Sequence, residues 1–185
     1  NVLSMFQRPT PSVFNSGYGN ADFDVASVPL MYFNEDGEWH HSSKVAVVRT
    51  DTMQELGVHG KNYKPVAPTE LIQAQRDTIM RSDLETGGLT ADITTAYHGA
   101  ATFVKYRLPE HTYTTPDGDT ACLTLLGVTS LNSTFAFIMS AGAHQAACFN
   151  GQVFVGGAAA LFKARHTKNL DIQAAARSIT KSLEV

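Results

Sequence analysis

Thr102-Phe103-Val104-Lys105-Tyr106-Arg107-Leu108, then Thr115-Pro116-Asp117-Gly118-Asp119, then Ala121-Cys122-Leu123-Thr124-Leu125-Leu126-Gly127-Val128-Thr129 reads as strand, turn, strand. Aromatic and β-branched residues populate both flanks, and Asp-Gly supplies the positive dihedral angles of a tight hairpin. The period of two sets Phe103, Lys105 and Arg107 on one sheet face and Val104, Tyr106 and Leu108 on the other. Working outward, Ile93 and residues 134–140 and 153–163 continue the extended pattern. Upstream, residues 28–33 and Trp39 with residues 44–49 form another hairpin around Asn34-Glu35-Asp36-Gly37, while Leu56-Gly57-Val58-His59-Gly60 reads as a turn.

Two helices interrupt the strands. Thr69 is the expected N-cap of a helix reaching to about Ser82, with Leu71, Ile72, Gln75, Ile79 and Met80 inward and Arg76 and Asp77 outward. Residues 171–183 form the second. The expected fold is therefore α+β, an antiparallel sheet of several hairpins with a central and a C-terminal helix packed on it. Pro9, Pro11, Gly17 and Gly19 make residues 1–21 an expected flexible N-terminal arm, and residues 22–185 an expected single domain. The chain opens on Asn1 and its helical pattern is still running at Leu183, so trimming at one or both ends is expected.

Composition narrows the function. An apolar share of 43% and a charged share of 17% are those of a globular chain. The longest weakly polar stretch, residues 153–162, is about half of what a membrane-spanning helix needs. Cys122 and Cys148 lie in apolar settings and read as reduced thiols. With 14 Lys and Arg against 17 Asp and Glu, the net charge of -3 does not attract nucleic acid in bulk. A nucleic-acid site therefore requires a local basic strip, with the acids gathered elsewhere.

Catalytic motifs are not found. His144 with Cys148, and the pair His40-His41, are incomplete as zinc sites, and an apolar Cys keeps too high a pKa for a nucleophile. Asp117 and Asp119 suit a hairpin turn better than a calcium loop, and neither Gly156-Gly157 nor Gly87-Gly88 has the flanks of a phosphate loop. No catalytic residue, metal or cofactor is expected, and the chain reads as a binding protein rather than an enzyme. Basic residues interleaved with aromatics form three clusters: Phe103, Lys105 and Arg107; Lys61, Tyr63 and Lys64; and Lys163, Arg165 and Lys168. With Tyr113 these are the candidate nucleic-acid-binding residues, cations for phosphates and rings for bases. From spacing alone they read first as the solvated faces of an ordinary sheet.

Several blocks carry a resemblance. Val47-Val48-Arg49-Thr50-Asp51 and Leu56-Gly57-Val58-His59-Gly60-Lys61-Asn62-Tyr63-Lys64-Pro65-Val66 resemble the opening of the phage/plasmid-like family of unknown function numbered 932. Thr129-Ser130-Leu131-Asn132-Ser133-Thr134-Phe135-Ala136-Phe137, the Cys148-Phe149-Asn150-Gly151 segment and Arg165-His166-Thr167 are similar to later blocks of it, and the resemblance spans roughly residues 25–180. That family is similar to single-stranded-DNA-binding RNA polymerase cofactors of lytic podoviruses that carry a virion polymerase. The resemblance implies single-stranded DNA as ligand, bound with little sequence specificity, and a role in transcription or in replication and recombination. It also implies an RNA polymerase and further copies of the chain as partners, and the cytoplasm of an infected bacterial host as location. The alternative expectation is an adaptor that recruits a polymerase through Phe6, Phe14 and Tyr18 without binding DNA. A nucleic-acid enzyme whose site assembles only on folding ranks third.

Overall fold

A computed structural model describes residues 10–114, 118–142, 148–149, 152–153 and 158–183. A three-stranded antiparallel sheet comes first, ordered β1 (Val25–Phe33), β2 (Trp39–Arg49), β3 (Glu55–Gly60). After helix α1 (Pro68–Arg81) follow β4 (Thr90–Ala96), β5 (Ala101–Thr114), β6 (Thr120–Ser130) and β7 (Phe137–Gly142). A short ribbon of β8 (Cys148–Phe149) and β9 (Gln152–Val153) precedes β10 (Ala158–Ala164), and α2 (Ile172–Leu183) ends the described chain. The second sheet runs β10-β7-β6-β5-β4, antiparallel throughout. Both helices pack on one face of it, so the expected α+β architecture is the one observed. Among the described residues no helix is long and apolar enough to cross a membrane.

The alternation in β5 places the core. Val104, Tyr106 and Leu108 are fully buried under the helices with Leu71, Ile72, Ile79 and Ile179. Register puts Gly127 opposite Val104 and Met139 opposite Gly127, and α1 lowers Gln75 onto that glycine. A Cβ at Gly127 would meet the Gln75 amide at 2.7 Å, so this position stays side-chain-free to let α1 approach. Burial of the ring also raises the Tyr106 hydroxyl pKa, Arg76 partly offsetting it.

Four local expectations change. The stretch read as a turn at residues 56–60 is β3, paired with β2; its Gly57 serves a close approach, since a Cβ there would lie 2.5 Å from the Leu131 carbonyl oxygen. Ala67, not Thr69, is the N-cap of α1, with Pro68 in its first turn; the Thr69 hydroxyl donates instead to Asp24. Arg76 is buried rather than outward. Its guanidinium lies 4.9 Å from the Phe14 ring centroid and 4.6 Å from that of Tyr18, and its Nε donates to the Tyr106 hydroxyl. Hence residues 10–21, expected to be a free arm, fold over α1 through two short 3-10 turns, with Phe14 edge-on to Tyr106. Cation–π contacts and a phenol oxygen replace the water that an exposed Arg would keep. Phe6 lies outside the described residues.

The small sheet joins the large one through Val47, Leu56, Ala100 and Leu131 with Phe23. Hydrogen bonds from His59 to Leu131 O and from Tyr63 to Ser130 O fasten that junction. Beyond Lys44, which lies opposite Gly60 at the end of β3, β1 and β2 run on as a two-stranded ribbon.

Candidate nucleic-acid interface

Two of the three cationic clusters, about a hundred residues apart in sequence, are joined by backbone pairing. Tyr63 and Thr167 form an antiparallel bridge, Lys64 N–H donates to His166 O at 3.3 Å, and Lys168 N–H donates to Asn62 O at 2.9 Å. This seam carries Lys61, Arg165 and Lys168, all exposed. The Lys64 ammonium is spent inside the fold, donating to Leu170 O at 2.8 Å.

Tyr63 is a structural ring. It stacks between His59, at 3.7 Å between centroids, and His166, at 5.3 Å. Burial raises its hydroxyl pKa to about 12, so the group stays a donor to Ser130 O. Since Leu131 O only accepts, His59 carries its proton on Nε2, and its Nδ1, 3.1 Å from Ser133 Oγ, accepts from that hydroxyl when the ring is neutral. His166 is set the same way: Nδ1–H donates to Lys64 O at 3.2 Å. Burial lowers the His166 pKa, the Lys64 carbonyl opposing and His59 adding to the effect. Its Nε2 is buried with no hydrogen-bond partner among the described residues.

Beside this stack, a cleft of about 370 Å³ opens between residues 133–136 and the Arg165-His166-Thr167 turn. Its polar wall comes from a tight loop after β6. Asn132 Oδ1 accepts from Ser130 Oγ at 2.8 Å and from the Thr134 hydroxyl at 2.6 Å, and Ser133 adopts φ 63°, a left-handed conformation that such local side-chain bonds support. Phe135 forms the apolar wall and meets Phe103 edge-to-face at 5.3 Å. A larger hollow of about 550 Å³ between the starts of α1 and α2 has Lys64, Glu70 and Asp171 on its walls.

The third cluster lies across the sheet face turned away from the helices. Cross-strand register aligns Asp92, Lys105, Leu126, Ser140 and Leu161 in one row and Thr94, Phe103, Val128, Ile138 and Lys163 in the next. Arg107 and Lys163 are exposed and Lys105 is half-buried. The middle of this face is not an open platform: Leu126, Val128 and Ile138 are buried in a cluster that Phe103 and Phe135 flank. Phe103 is thus a packing residue with one accessible side, because Phe135 from the next loop sits on it. Tyr113 pairs through its backbone with Ala121 and Cys148 through its backbone with Val153; His144, Asp117 and Gly156-Gly157 lie outside the described residues.

Among the described residues, none of the candidate cations is in an ion pair, while Arg49, Arg81 and Arg177 are paired with carboxylates. Sequence reading missed Ser133, Thr134, Phe135 and His166, the cleft residues. Their only signal was membership of the blocks that carry the family resemblance, which assigns them no role; by composition residues 130–134 read as an ordinary loop. These features define an α+β domain with a cationic seam beside a polar, ring-walled cleft. The chain belongs to the family described as Domain of unknown function (DUF932), which its residues 55–185 match. The match begins at β3, so the β1–β2 hairpin precedes it. No curated protein and no solved structure matches the chain.

Proposed function

We propose that this protein binds single-stranded DNA with little sequence specificity, in the cytoplasm of an infected bacterial host, as a cofactor of RNA polymerase or in replication and recombination. The observation that carries the reading is the Tyr63–Thr167 pairing, which gathers unpaired Lys61, Arg165 and Lys168 beside a cleft walled by Phe135. The strand path runs from Arg107 and Lys105, past Phe103 and Phe135, through the cleft to Arg165 and the seam. Phosphates meet cations along it while a base stacks on Phe135, a contact worth about 1–3 kcal/mol. A cleft of this size holds about one nucleotide and reads no sequence beyond it.

The test is the salt dependence of binding to a labelled oligonucleotide. Each phosphate contact contributes about 0.7 to the slope of log K against log salt for a single strand. Arg165→Ala is expected to reduce that slope by about one contact, and Phe135→Ala to lower affinity with the slope unchanged. An Arg165→Ala protein with wild-type affinity and slope contradicts the assignment. In the adaptor reading Phe14 and Tyr18 face a partner; here both pack around Arg76, which disfavours it.

A further inference from the structure

The β1–β2 ribbon buries almost nothing at its far end. Met31, Tyr32, Phe33 and Trp39 are 46%, 55%, 59% and 65% exposed, although large aromatics ordinarily supply core area. Phe33 and Trp39 face each other at 5.2 Å, and Tyr32 stacks on His40 at 5.6 Å on the opposite side. The turn between them carries Glu35, Asp36 and Glu38. Those three acids account for the chain's whole net charge: without them, 14 basic residues stand against 14 acidic ones. A surface of rings interleaved with carboxylates presents the features of a nucleic-acid strand, planar apolar groups beside negative charge.

We propose that this hairpin docks in trans on the cationic seam of a second copy of the chain, occupying the place the proposed function gives to single-stranded DNA. Charge complementarity selects the partner: the tip is acidic, and Lys61, Arg165 and Lys168 are exposed cations with no ion pair among the described residues. Geometry selects a second copy over the same one. From Lys44, opposite Gly60, the ribbon runs on to Trp39 at about 3.4 Å per residue, which carries the tip roughly 17 Å beyond the end of β3 and away from its own Lys61. Tip-to-seam contact joins two different surfaces, so it propagates head to tail. The four exposed side chains offer roughly 500 Å², short of the about 800 Å² per partner of a stable interface. Association is therefore weak, salt-sensitive and displaced by DNA.

The proposal rests on the seam being cationic and free, and in its competition with DNA it also rests on the function proposed above. Sedimentation velocity of the full chain at low salt, without DNA and then with added oligonucleotide, tests it against two variants: the tip-neutral triple E35Q, D36N and E38Q, and the seam variant Arg165→Ala with Lys168→Ala. The wild type is expected to form oligomers that dissolve on raising salt or adding DNA. Both variants are expected to remain monomeric, and the tip-neutral one to bind the oligonucleotide several-fold tighter. A wild type that stays monomeric at low salt and high concentration overturns the docking, as do variants that oligomerise like wild type. Oligomers abolished in both variants, with no DNA binding by any protein, uphold the docking and overturn the function proposed above.

Discussion

The Nδ1–H of His166 is committed to the Lys64 carbonyl, and burial holds the ring below the usual histidine pKa. Its folded-state pKa lies below the unfolded value of about 6.5, so below that pH the unfolded chain takes up a proton that the folded chain resists. The stability tied to the neutral ring is fully present above about pH 6.5 and is lost as pH falls through the folded pKa. Urea midpoints of the wild type are expected to fall between pH 7.5 and pH 5.5 by more than those of His166→Gln; parallel declines would show that the buried ring contributes nothing. The local pattern gives this histidine no role, since Arg165-His166-Thr167, although one of the blocks that carry the family resemblance, reads as one more polar turn. Arg76 shows the opposite failure. Helical periodicity assigns a charge to solvent, and only the fold of residues 10–21 across α1 reveals two rings and a phenol around it.

Elements were more legible than residues. Alternation in β5 could be read because one face of that strand is buried, so a slip by one position would expose Val104, Tyr106 and Leu108. β3 was not legible because two glycines in six residues signal a turn. Gly57 is there for a close approach to the Leu131 carbonyl, a contact some seventy residues away that no local pattern encodes. Gly57→Ala is therefore expected to destabilise the protein by about 1–3 kcal/mol, by forcing β3 from the large sheet. Gly60→Ala in the same strand, with open space around it, is expected to stay within about 0.5 kcal/mol. Urea denaturation of the two variants checks this pair, and equal losses would contradict the role given to the junction.

At the scale of the whole molecule, a chain of net charge -3 is assigned an anionic ligand, and the distribution of charge is what makes that consistent. The acids of the β1–β2 tip stand at the far end of a ribbon, while Lys61, Arg165 and Lys168 are gathered by pairing just past Gly60, at the end of β3 from which that ribbon departs. Composition could indicate that such a separation was required, and the three cationic clusters were visible as residues. The joining of two of them depends on the Tyr63–Thr167 bridge, and the cleft beside them on the loop of residues 131–136, both products of non-local packing. The cleft itself is therefore a property of the fold that spacing could not supply.

The most direct measurement is fluorescence anisotropy with one labelled single strand and its matching duplex, each at two salt concentrations. The account predicts binding to the single strand that weakens steeply with salt, and much weaker binding to the duplex, whose bases are not free to stack on Phe135. A folded protein that binds neither, or that prefers the duplex, would contradict it.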